Sequence, residues 1–185
     1  MRIVVSNFAY LLTISNFSQM KNVKIFTLAF AFTFISLLVK AQTAEVTVGG
    51  DVTQPYKLNA TNFVGMKQVT VKVTANDGRE HVYSGVLLYD ILTQADAIPN
   101  KQLRGKSLTK YVLISAADGY QVVVALPEID PAFTDKLIIL ANKEDGEDLA
   151  ANFGPYRLIV QGDKKPARSA MRVVAIDVLT AKKPN

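Results

Sequence analysis

Five cationic side chains lie close together near the C-terminus of the sequence. They are Arg157, Lys164, Lys165, Arg168 and Arg172. The planar guanidinium group of arginine forms paired hydrogen bonds to phosphate and similar oxyanions, and lysine adds a point charge. Together these side chains could hold a phosphate or another small anion. The alternative is that Lys164 and Lys165 form a solvated loop tip and that Arg157 is a surface ion-pair partner.

Other residues that support catalysis or metal binding are scarce. The sequence has no cysteine and one histidine, His81, so neither a histidine-based metal site nor a Ser-His-Asp triad is predicted. We expect His81 to be an exposed cross-strand residue. The acidic run 144–148, with Gly146 at its centre, offers the oxygen donors that Ca²⁺ prefers, but it lacks the full twelve-residue loop pattern. We interpret it as a charged hairpin tip and predict no metal ligands.

The first 41 residues have the pattern of an export signal. Lys21 and Lys24 precede an apolar stretch at 25–39, and Ala41 ends a small-residue cleavage site. Met20 is an alternative start. A retained membrane anchor is the other interpretation, although a span usually needs about 20 apolar residues. We expect an exported protein, periplasmic or secreted, that contacts the membrane only through an uncleaved leader.

Removal of this leader changes the charge of the chain. The leader holds four of the 21 lysine and arginine residues and no acidic residue, which leaves 17 basic and 16 acidic residues and a net charge of +1. A nearly neutral domain has no concentrated basic face for nucleic acid. The 144 residues at 42–185 suit a single domain with one core, held together without disulfides.

Hydrophobic patterning predicts a β-rich domain. Alternating β-branched and polar residues at 68–74 are typical of a half-buried strand, and Asn76-Asp77-Gly78 predicts a turn. Residues 86–92 have apolar side chains at helical spacing, and Pro99-Asn100 follows as a break. Asp118-Gly119 predicts a hairpin. The remaining predicted strands are 81–83, 111–116, 120–126, 137–141, 156–160 and 172–179.

Residues 140–176 resemble the closing stretch of the molybdopterin-binding domain of sulfite-oxidase-type oxidoreductases. Arg157 matches the arginine of that family's Gly-x-Pro-x-Arg motif, and Arg168 matches the basic residue before its serine. Three further stretches are similar to the opening strand, to a Gly-Val-x-Leu helix and to the hairpin and turn that line the family's pocket. They are residues 46–55, 83–92 and 118–128. The resemblance implies an α+β fold with a mixed, barrel-like sheet and few short helices.

The sequence departs from this family where the metal is held. The family binds molybdenum through the dithiolene of its cofactor and one protein thiolate, which precedes the helix near Gly85. The matching interval 75–83 has no cysteine and is short, and a carboxylate or amide ligand at Asp77 or Asn76 would make a harder and more labile site. The family's Ser-x-Lys pattern appears as Ser169-Ala170-Met171, so its lysine position is apolar. The leader also lacks the paired arginines of the family's exported members.

These observations lead to the hypothesis of an exported, molybdopterin-binding-like domain that acts as a non-enzymatic binding or partner module without a cofactor. Its partner would be a small anion or an unidentified protein. The anion or pterin pocket implied by the resemblance comprises Arg157, Arg168, Lys165, Arg172 and Tyr120. One alternative is a molybdopterin-dependent oxidoreductase with a non-thiolate ligand, in which Tyr120 would contact the substrate. Another is a structural β domain that docks onto an envelope protein.

Overall fold

The computed structural model describes residues 45–75, 78–98 and 102–182. These residues form ten strands and two α-helices, joined by short 3₁₀ turns. The strands are β1 (Val46–Gly50), β2 (Tyr56–Leu58), β3 (Gln68–Thr74), β4 (Glu80–Leu87), β5 (Lys110–Ala116), β6 (Gln121–Ala125), β7 (Ile138–Glu144), β8 (Glu147–Asp148), β9 (Arg157–Val160) and β10 (Val173–Thr180). The helices are α1 (Ala60–Gly65) and α2 (Leu88–Gln94).

The strands are arranged in two sheets. The first has the order β2-β1-β10-β5-β6, in which β1 and β10 run parallel and the other neighbours antiparallel. In the second, β3, β4 and β7 are consecutive neighbours, and β7 also pairs with β8 and β9. Both sheets are open within the described residues, so the predicted α+β, β-rich class is confirmed but the barrel-like closure is not observed.

The second sheet buries apolar side chains on both faces. Along β7, Ile138 and Leu140 belong to the main core, whereas Ile139 and Ala141 belong to a second, smaller cluster. This division follows from the two-residue period of a strand, which sends successive side chains to opposite faces. Tyr83 of β4 lies on the face of the smaller cluster. The functional side chains described below also occur on this face.

Most predicted strands are present, with shifted ends. β3 matches the predicted segment 68–74, and β4 extends the predicted 81–83 strand in both directions. Helix α2 begins at Leu88 because Val86 and Leu87 pair with Leu140 and Ile139 in the sheet. β2, α1 and the two-residue β8 were not predicted.

The leader, Asn76-Asp77 and Pro99-Asn100 lie outside the described residues. Among the described helices, none has the length and apolar character needed to cross a membrane.

Candidate functional site

A cavity of about 350 Å³ lies against strands β3, β4 and β9 and the loop that follows β9. Its volume falls in the range of about 300–1,000 Å³ that is typical of small-molecule sites. Its wall includes the polar or charged side chains of His81, Tyr83, Arg157, Asp163, Lys164 and Ser169.

Strand periodicity explains how these side chains meet. His81 and Tyr83 are two residues apart on β4 and therefore lie on one face of the sheet. Arg157 and Ile159 have the same relationship on β9. β7 lies between the two strands and places Glu144 directly opposite Tyr83. The site is thus assembled across three neighbouring strands from residues that are far apart in sequence.

Arg157 contacts two aromatic rings and the hydroxyl group of one of them. Its Nη1 donates a hydrogen bond to the hydroxyl oxygen of Tyr83 at 3.1 Å, and its guanidinium carbon lies 5.3 Å from the ring centres of both Tyr83 and Phe153. Its Nε is buried and has no hydrogen-bond partner. Within residues 45–75, 78–98 and 102–182, no carboxylate forms an ion pair with Arg157. Among the described residues, this positive charge is therefore not paired directly with an acidic side chain.

Tyr83 connects this arginine to an acidic group. Its hydroxyl accepts the hydrogen bond from Arg157 and donates one to Oε1 of Glu144 at 2.7 Å. Burial, followed by the hydrogen bond to Glu144, raises the pKa of Tyr83 to about 12. The phenol is therefore neutral near pH 7 and keeps the proton that it donates to Glu144.

His81 contacts two carboxylates rather than standing exposed on its strand. Its Nδ1 lies 2.9 Å from Oδ2 of Asp145 and 3.2 Å from Oε1 of Glu144, and 22% of its side chain is exposed. The other carboxylate oxygen of Asp145 accepts the backbone N–H of Val82 at 2.8 Å. That backbone hydrogen bond, followed by the one with His81, lowers the pKa of Asp145. His81 is the predicted cross-strand residue, opposite Val73 of β3, but it is only partly exposed because the acidic hairpin folds back onto it.

The acidic run itself forms the predicted hairpin tip. Glu144 of β7 pairs with Glu147 of β8, and Asp145 and Gly146 form the two-residue turn. Both turn residues have positive φ, 52° and 90°, as a type I′ hairpin requires. This turn conformation directs Asp145 toward β4. The turn was predicted from the sequence, but its contact with His81 was not.

Arg168 is committed to a structural ion pair. Its Nε and Nη2 donate to the two carboxylate oxygens of Asp163 at 2.8 and 2.7 Å, and its Nη1 donates to Glu128 at 3.1 Å. The hydrogen bond with Arg168 lowers the pKa of Asp163, and the same pairing raises the pKa of Arg168. The charge of Arg168 is thus matched by two acids, and this side chain is not among those that line the cavity.

The other residues of the predicted pocket are dispersed. Tyr120 is half exposed and donates from its hydroxyl to the carbonyl oxygen of Ala167 at 2.7 Å. Lys165 and Arg172 are exposed and do not line the cavity, whereas Lys164 does. Of the five cations recognised in the sequence, the structure therefore brings Arg157 and Lys164 to the cavity wall.

The residues present do not fit a thiolate-bound molybdenum centre. The sequence has no cysteine. β3 and β4 remain paired up to Thr74 and Glu80, and the N–H of Ala75 donates to the carbonyl oxygen of Arg79 at 2.8 Å. Only three residues therefore separate the hydrogen-bonded Ala75 and Arg79, in the interval where the resemblance would place the thiolate. Asn76 and Asp77, the harder ligands considered above, lie outside the described residues.

Comparison with known proteins identifies a shared fold but no family. No protein-family model and no curated protein sequence matches the chain. Among solved structures, the chain is similar to the sulfane dehydrogenase SoxCD from Paracoccus pantotrophus, with a TM-score of 0.59 and 16% sequence identity. The similarity covers 76% of this chain but only 39% of the SoxCD chain. The chain therefore spans well under half the length of the SoxCD chain, and the shared fold is limited to that part.

Proposed function

We propose that this protein is an exported, non-enzymatic module that binds a small oxyanion in the cavity beside Arg157. The observation that carries the proposal is that Arg157 lines the cavity and forms no ion pair with a carboxylate among the described residues. Arginine is the side chain best suited to bidentate binding of phosphate-like groups. An oxyanion in the cavity would supply the missing negative charge.

The surroundings of Arg157 favour an anion over a neutral ligand. Two aromatic rings restrict the guanidinium, so less side-chain entropy is lost when a ligand binds. A buried donor without an acceptor costs about 1–3 kcal/mol, and the unpartnered Nε shows that the hydrogen-bonding capacity of this guanidinium is not used up within the described residues. Lys164 adds a second positive charge at the wall, while Asp163 is already neutralised by Arg168.

The alternative is a molybdopterin-dependent oxidoreductase, supported by the fold shared with a sulfane dehydrogenase. The absence of cysteine opposes it, because the chain cannot supply the thiolate that the sulfite-oxidase-type centre uses. The two functions are separated by metal and pterin analysis of the protein purified from its own host. Near-stoichiometric molybdenum or tungsten together with oxidised-pterin fluorescence would support the oxidoreductase.

Anion binding is tested by isothermal titration of the purified protein with inorganic phosphate and with sulfate. We expect a single site in the wild-type protein, loss of binding in Arg157→Ala, and partial retention in Arg157→Lys, which keeps the charge but not the fork. Arg104→Ala is the matched control, because Arg104 is an exposed arginine that does not line the cavity. Equal anion affinity in the wild type and Arg157→Ala, with both proteins folded by circular dichroism, would reject the proposal.

A further inference from the structure

A second group of side chains has the composition of a metal site. His81, Glu144 and Asp145 each present one ligand atom, and these atoms all lie within 4.8 Å of one another. The three residues come from β4, the end of β7 and the turn that follows β7. The carboxylates of Glu144 and Asp145 both contact Nδ1 of His81, the one histidine in the sequence.

We propose that His81, Glu144 and Asp145 bind a divalent cation of the zinc class. One imidazole nitrogen and two carboxylate oxygens are a donor set that Zn²⁺ and its first-row neighbours accept, with metal–ligand distances of about 2.0–2.2 Å. The remaining coordination position would be taken by water. His81 also lines the anion cavity, but Arg157 is not part of this cluster, and the metal site does not depend on an anion being bound.

The observed distances are close to those that a metal would require. Two ligands at about 2.1 Å from a tetrahedral metal are roughly 3.4 Å apart. Nδ1 of His81 is now 3.2 Å from Glu144 and 2.9 Å from Asp145. A cation could therefore lie between the three ligand atoms if the side chains opened by a few tenths of an ångström.

Both carboxylates are also positioned by groups outside the cluster. Oδ1 of Asp145 accepts the Val82 N–H, which leaves Oδ2 directed at His81. Oε1 of Glu144 accepts the hydroxyl of Tyr83 at 2.7 Å. Hydrogen bonds of this kind orient metal-binding carboxylates, and their loss typically weakens metal affinity by about 10–100-fold. The cluster is thus preorganised, as a binding site requires.

The test uses the full protein, purified without a histidine tag, stripped by a chelator and titrated with Zn²⁺ and Co²⁺. We expect one equivalent of metal to bind and to shift the imidazole ¹⁵N resonance of Nδ1, which is readily assigned because His81 is the one histidine. Asp145→Asn should weaken the affinity at least about tenfold. This variant keeps an acceptor for Val82 and tolerates the positive φ at this position.

The matched control is Glu147→Gln, which removes an exposed carboxylate from the adjacent β8 strand outside the cluster. It should bind Zn²⁺ as the wild type does. The proposal is overturned if Zn²⁺ does not bind, if it binds without moving the His81 resonance, or if Asp145→Asn and Glu147→Gln bind equally well. In each of these cases the three residues are an ion-pair cluster only.

Discussion

Arg157 donates a hydrogen bond from Nη1 to the hydroxyl oxygen of Tyr83 at 3.1 Å, and its guanidinium carbon lies 5.3 Å from the centre of the same ring. A neutral phenol orients the guanidinium without balancing its positive charge, whereas a carboxylate partner would balance it. Because Tyr83 in turn donates to Glu144, one side chain orients both the arginine of the anion cavity and a carboxylate of the proposed metal site.

Tyr83→Phe should reduce the loss of stability at alkaline pH. The pKa of Tyr83 is raised to about 12, above the ordinary value of about 10. Between these pH values the unfolded chain releases the phenolic proton and the folded chain does not, so stability falls as the pH rises through this window. Denaturant unfolding at pH 9 to 12 should show a smaller fall in the variant, and a Tyr83 that titrates near pH 10 in the folded protein would rule this out.

Asp163 and Arg168 should show strong coupling in a double-mutant cycle. Their two hydrogen bonds form a bidentate pair that is partly exposed, so we expect a coupling free energy of about 1 kcal/mol in unfolding experiments. Additive effects of Asp163→Asn and Arg168→Ala would contradict the structural role assigned to Arg168.

The same pair should contribute to stability at neutral pH and lose its contribution in acid. Arg168 lowers the pKa of Asp163, so the contribution is complete above the ordinary carboxyl pKa of about 4 and disappears as the pH falls through the lower folded value. The stability difference between the wild type and Asp163→Asn should therefore shrink below about pH 4. A difference that stays constant from pH 7 to pH 2 would show that another interaction is responsible.

Gly85→Ala should disrupt the pairing of β4 with β7 and so displace Tyr83. A Cβ atom at this position would overlap the carbonyl oxygen of Leu140 on the neighbouring strand. We expect a destabilisation of more than about 2 kcal/mol in urea unfolding, comparable to overpacking of a core. Gly65→Ala is the control, because a Cβ there meets no atom within 4 Å. If the two variants are equally stable, the close approach of these strands is not rigid.

Two adjacent lysines should differ in their effect on anion binding. Lys164 lines the cavity and Lys165 does not. Lys164→Ala should weaken phosphate binding by a factor of about 2–5, the effect of one partly screened charge of roughly 0.5–1 kcal/mol, whereas Lys165→Ala should leave it unchanged. The opposite ranking in parallel titrations would move the anion site to the loop tip.

Local patterns in the sequence were sufficient to predict most strands. Alternation at 68–74 defines β3, and Asp145-Gly146 defines the turn of the β7–β8 hairpin. Residues 56–65 contain neither a clear alternation nor a long helical face, which is why β2 and α1 were missed. Their formation depends on pairing with β1 and on burial of Phe63 in the core.

The candidate site was less predictable, because its contacts join strands that are distant in sequence. Arg157 was recognised as a cation, but its contact with Tyr83 spans 74 residues. Arg168 looked equivalent to Arg157 in the sequence, and only the folded loop shows that Asp163 neutralises it. The contact of His81 with Asp145 likewise depends on the register of β4 against β7. The sequence thus identified the charged residues. Strand pairing and loop contacts decide which of them can still bind a ligand.

The most direct test of the account is the ¹H–¹⁵N resonance of the Arg157 Nε–H group during titration of the full protein with inorganic phosphate, assigned by its absence in Arg157→Lys. An anion bound by the guanidinium group should shift this resonance, with saturation at the same concentration as in calorimetry. A resonance that does not move while phosphate binds, or a protein that binds neither phosphate nor sulfate, would contradict the assignment of Arg157 as the centre of an oxyanion site.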